Sequence, residues 1–107
     1  MNRKLLIRIA VAIEERRGPY VVPRGHSARA ERMADAIDAL IDAGYLSYAE
    51  HGEDRYGTVG FVTLTRRAKR ALRDDQQVRD LLCRARHDPL RETACAACNA
   101  RLETWGA

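Results

Sequence analysis

The chain has 107 residues, 46% of them apolar, and a formal net charge of +4. That length makes one domain with at most a small appendage, and that apolar share excludes wholesale disorder. No apolar run approaches the roughly 18 residues of a membrane span.

The start, MNRKLLIRIAVAIEERR, is basic and then apolar, but Arg8, Glu14 and Glu15 interrupt it and no small-residue cleavage site follows. A cytoplasmic protein is therefore expected. From Arg3 to Arg17 the apolar positions Leu5, Leu6, Ile9, Ala12 and Ile13 keep helical spacing, and Gly18-Pro19 stops the helix. A scrap of strand is expected at Tyr20–Val22, before Pro23 and Gly25 break the chain. Ser27 is a good N-cap for a second helix. There Ala30, Met33, Ala34, Ile37, Leu40 and Ile41 give the clearest periodic stripe in the sequence, and Gly44 marks its end.

Tyr45–Ala49 reads as a strand, EHGEDRYG as turn chemistry, and Thr58–Leu64 as the returning strand of a β-hairpin. Thr65 caps a further helix with Ala68, Ala71 and Leu72 facing inward. Asp74, with Gln77 three residues on, is a candidate capping box. The helix it would open carries Val78, Leu81, Leu82 and Ala85 and ends near His87, before Asp88-Pro89.

Charge is distributed in blocks. Residues 1–32 carry a net +5, residues 33–54 carry six acids and no Lys or Arg, residues 55–73 carry six bases and no acid, and the remainder nets −1. Two basic blocks could converge on a phosphate backbone. The plainer reading is an Arg-rich composition, since seventeen of the nineteen bases are Arg.

Helix, second helix ending in LIDAGYL, hairpin, then VTLTRRAKRAL resembles the winged helix-turn-helix of the MarR and PadR superfamily. The likeness covers residues 27–73 and is carried by Leu40, Gly44, Tyr45, Leu46, Asp54, Arg55, Val62, Leu64, Thr65, Ala68 and Leu72. It departs from the family in having no room between Gly18 and His26 for the usual middle helix. The resemblance implies an α+β, mainly α fold: a winged-helix domain over residues 1–73, with a two-stranded hairpin wing, and a helical tail over residues 74–107. It also implies a DNA-binding transcription regulator, bacterial or phage, with pairing into a homodimer. The helix from Ser27 would enter the major groove by its N-terminal half, with Arg24, Arg29 and Arg32. Arg55 at the wing tip would reach a minor groove or backbone, and Arg66, Arg67 and Arg70 would meet phosphate. Asp35, Asp38 and Asp42 follow Arg32 and would repel phosphate, so only the first turns of that helix could approach it. A non-enzymatic protein-interaction module is the alternative.

The tail holds all three cysteines. Cys83 and His87 are four apart, on one face of a helix. Seven residues intervene before Cys95 and Cys98, a CxxC pair, with Asp88-Pro89 allowing reversal between. Cys-x3-His-x7-Cys-x2-Cys is a set that zinc accepts as a closed, structural site. There is a motive for it. From Asp88 onward the larger apolar side chains are only Leu90, Leu102 and Trp105, too few to fix the end of the chain unaided. A redox pair at Cys95 and Cys98, an iron–sulfur cluster, or inert thiols in an Ala-rich helix are the alternatives; no thioredoxin-like βαβ pattern surrounds the pair. His26 and His51, each beside a glycine, are expected to be solvent-exposed. No catalytic constellation is found, and a four-ligand site leaves no position for reactive water.

Overall fold

The computed structural model describes residues 1–107. Five helices and three strands follow in the order α1 (Arg3–Arg16), β1 (Tyr20–Val21), α2 (Ala28–Asp42), β2 (Leu46–Asp54), β3 (Gly57–Leu64), α3 (Arg66–Arg73), α4 (Gln76–Arg86) and α5 (Ala96–Glu103). The fold is α+β and roughly half helical. No helix is long and apolar enough to cross a membrane.

Local chemistry explains the boundaries. Asn2 caps α1 by accepting the Leu5 N–H, and Ser27 caps α2 by accepting that of Ala30. At the end of α2 the Tyr45 N–H reaches Leu40 O at 2.9 Å and the Gly44 N–H reaches Ile41 O at 3.0 Å. This is a Schellman closure, and it requires the left-handed φ of 83° that Gly44 supplies. Thr65 then does two jobs. Its hydroxyl donates to Gly44 O at 2.6 Å and accepts the Ala68 N–H, so it caps α3 while fastening the end of α2.

The expected hairpin forms from β2 and β3, and the strand expected near Tyr20–Val22 joins it as a third strand. The sheet order is β1-β3-β2, all antiparallel, with Tyr20 opposite Val62 and Val21 opposite Phe61. The short Tyr20–Val21 segment pairs because β3 has a free side. The hairpin is also longer than the sequence reading has it. Glu50 to Asp54 are strand, not turn, and the turn is the two residues Arg55 and Tyr56 between Asp54 and Gly57. The glycine in EHGED marks a bulge. His51 and Gly52 stand opposite Val59 alone, with Gly52 at φ 77°. Only Leu46 of β2 is buried, so the strand is polar along its length and reads as a turn by composition.

Asp75, not Asp74, caps α4. Its carboxylate accepts the N–H groups of Gln77 and Val78 and also pairs with Arg3 at 2.9 Å. The capping box of Asp74 with Gln77 does not form, because Asp74 lies one residue too early and is the C-cap of α3. Leu81, expected inward, is 38% exposed, and Cys83 takes a buried place on that helix instead.

One core joins the elements. Leu5, Leu6, Ile9 and Ala10 of α1 meet Ile37 and Leu40 of α2, Val62 of β3, Leu72 of α3, Val78 and Leu82 of α4 and Leu102 of α5. The core therefore runs across the junction at residues 73 and 74. Fully burying a leucine or isoleucine side chain contributes about 2 kcal/mol, so this cluster dominates folding.

Candidate metal centre

Four donors converge where α4 ends and α5 begins. Cys83 lies in the last turn of α4, and its carbonyl accepts the backbone N–H of His87, the C-cap, at 2.9 Å. Helical spacing thus puts both side chains on one face. Cys95 is the N-cap of α5 and Cys98 lies in its first turn. The Sγ atoms of the three cysteines and a ring nitrogen of His87 all lie within 4.8 Å of one another. Cys83 and Cys98 are buried, Cys95 is half-buried and His87 is exposed at the rim.

The connecting loop is held against α4. Arg84 donates to Arg91 O at 2.6 Å and to Glu92 O at 2.8 Å. Asp80 accepts the Ala94 N–H at 2.9 Å; its carboxyl is lowered by the Gln76 side chain and by that N–H. Asp88 accepts the Leu90 N–H, making the turn that reverses the chain. Asn99 donates to Ala94 O, fixing the approach to the CxxC pair.

The donors suit a metal ion. Tetrahedral coordination with metal–sulfur bonds near 2.3 Å has sulfur–sulfur edges of about 3.8 Å, inside the observed span. The Cys98 backbone N–H donates to Cys95 Sγ at 3.4 Å and is the main cause of a Cys95 thiol lowered to about 7. Burial pushes the Cys98 thiol up to about 12. The Cys95 N–H points at Cys83 Sγ at 3.4 Å. Thiolates packed this closely repel one another, and a metal ion among them would offset that repulsion. Cys83, His87, Cys95 and Cys98 can therefore hold a metal ion.

The end of the chain has other fastenings that the sequence reading did not find. Glu14, 7% exposed on α1, accepts from Arg101 of α5 at 3.0 Å and from Arg86 of α4 at 3.3 Å. Arg70 and Arg73 of α3 donate to Gly106 O and Trp105 O, and Lys69 lies over the Trp105 ring. A lone Glu in a helix gives no sequence signal of such pairing; its partners lie 72 and 87 residues away.

The predicted DNA-contacting arginines separate into groups. Arg29 and Arg32 are exposed on the first turns of α2 and line a groove with Lys4 and Arg8 of α1. Arg24 is engaged with both carboxylate oxygens of Asp54, at 2.6 and 2.7 Å, and with Gly57 O. Arg55 stacks on the Tyr56 ring at the hairpin tip. Arg66, Arg67 and Arg70 lie elsewhere. Arg67 stacks on Tyr45 beside Gly44, at the far end of α2, about 20 Å along the helix from Arg29. Lys4 and Arg8, four apart on the polar face of α1, were not among the residues expected there. His26 and His51 are both exposed, as expected, and His51 meets the Phe61 ring edge-on.

The chain matches no protein-family model, no curated protein and no solved structure.

Proposed function

We propose that this is a DNA-binding winged-helix protein, a bacterial or phage transcription regulator, whose carboxyl end is fastened by structural zinc. The observation that carries the DNA reading is the placement of Arg29 and Arg32. Both are exposed and free of ion pairs in the first turns of α2, at the end of the molecule where Arg24 and Asp54 tie the preceding loop to the hairpin tip. In this reading α2 is the recognition helix and the hairpin, with Arg55 and Tyr56 at its tip, is the wing. The order helix, strand, helix, hairpin, with β1 beside β3, supports the same reading with the middle helix absent. Asp35, Asp38 and Asp42 are exposed further along α2, so its N-terminal turns are the part that approaches a groove.

Zinc is the ion we assign to the four donors. Three sulfurs and one imidazole are a set this borderline-soft, redox-silent ion takes in tetrahedral geometry, and four protein ligands close the site.

The test is a titration of double-stranded DNA at two salt concentrations. Sub-micromolar affinity with a steep salt dependence is expected, and Arg29→Ala with Arg32→Ala should weaken it. No binding at low salt rejects the reading. A second reading, a protein-interaction module, is favoured by β2. It is an uncovered edge strand with Tyr48 exposed and Glu50 and Glu53 along it, suited to pairing with a basic extended segment.

A further inference from the structure

We infer that the groove between α1 and α2 seats the phosphates of one DNA strand, with Lys4 and Arg8 as contacts that the winged-helix reading does not assign. This rests on the proposal that the protein binds DNA.

The groove has a volume of about 430 Å3. Lys4 and Arg8 stand on one wall and Arg29 and Arg32 on the other, over a floor that includes Met33 and Ala36. No carboxylate lines it, and none of the four cations takes part in an ion pair. That sets them apart from six of the chain's arginines, and the shared groove sets them apart from the other unpaired cations. Arg3, Arg24, Arg73, Arg79, Arg86 and Arg101 are all paired with Asp or Glu.

Helical spacing keeps the four together. Lys4 and Arg8 are four apart on α1, Arg29 and Arg32 three apart on α2, so each pair projects from one face. Unpaired like charges lining one groove repel one another, and an anion in the groove relieves that repulsion. The N-terminus of α1, capped by Asn2, opens on the same groove and adds its positive dipole end. A concave, four-cation, acid-free strip matches a linear polyanion better than an isolated phosphate. The strip runs along the exposed first turns of α2, so backbone held here sets the position of those turns on the duplex.

The experiment measures affinity for two unrelated DNA duplexes across a salt series, for the parent chain, for Lys4→Gln with Arg8→Gln, and for Arg16→Gln with Arg17→Gln. The last pair removes the same charge from the other end of α1, where both side chains are exposed and unpaired. Circular dichroism melting confirms that each variant folds. The groove variant should lose at least about tenfold in affinity on both duplexes. Its plot of log affinity against log salt should be shallower by about two, one for each lost phosphate contact. The distal variant should keep a slope close to the parent's. Equal losses in the two variants, or a parent that binds while the groove variant is unchanged, overturn the groove and leave DNA binding standing. A parent that binds neither duplex at low salt overturns both.

Discussion

The imidazole Nε2 of His87 lies 3.1 Å from the Sγ of Cys98, although they stand eleven positions apart in the chain. Two groups at that distance share one proton or one cation. With Cys83 and Cys95 alongside, a cation is the economical answer, because it is shared by four donors rather than two. Protein purified without added metal should therefore carry about one zinc per chain by elemental analysis. Removing the metal with a chelator, or introducing Cys95→Ser, should cost at least about 2 kcal/mol, a fall of about 10 °C in melting temperature for a domain this size. Identical melting with and without metal would reject the site.

Much of this was legible in the sequence, for identifiable reasons. The i, i+4 spacing of Cys83 and His87, and the CxxC of Cys95 and Cys98, each fix a local geometry, so their convergence needed only one chain reversal at Asp88-Pro89. The helices from Arg3, Ser27 and Thr65 were legible because caps and apolar period agreed. The hairpin's true length was hidden because β2 buries only Leu46 and so shows no alternation. The pairing of Tyr20 with Val62, and the grip of Arg86 and Arg101 on Glu14, depend on tertiary contacts that no local pattern encodes.

Glu14 is the one buried charged residue, and it ties α1 to both α4 and α5. Glu14→Ala would leave two half-buried guanidinium groups facing each other without a counter-charge. With the partial solvent access of both arginines taken into account, the expected cost is about 2 kcal/mol. Glu14→Gln, which keeps shape and acceptor, should cost less. Denaturant unfolding of the three proteins checks the order; a Glu14→Ala variant as stable as the parent would show that the arginines have enough water to do without it.

The Arg24–Asp54 pair gives a pH signature. Arg24 holds the Asp54 carboxyl down to about 2, aided by the Tyr56 backbone N–H. Because the folded value lies below the ordinary value of 3.8, the pair's contribution is fully present above the usual carboxylate range. It is lost as pH falls from about 4 to about 2. The stability difference between the parent and Asp54→Asn should be constant above about pH 5 and vanish toward about pH 2. Taking a difference cancels any acid-driven loss of metal, which both proteins share. It should also shrink with added salt, since both side chains are partly exposed.

Leu102 offers a way to ask whether the metal and the core hold α5 jointly. It is fully buried against the main cluster, at the opposite end of α5 from Cys95 and Cys98. Leu102→Ala alone should cost about 3 kcal/mol, the sum of lost burial and the cavity left behind. Combined with Cys95→Ser, the two losses should total less than their sum. Once α5 has come away from α4, its leucine is no longer packed and truncating it removes nothing further. A double variant whose loss is strictly additive would mean that α5 stays docked through Glu14, Arg70 and Arg73 when the metal is gone, and that the ion orders only the loop between α4 and α5.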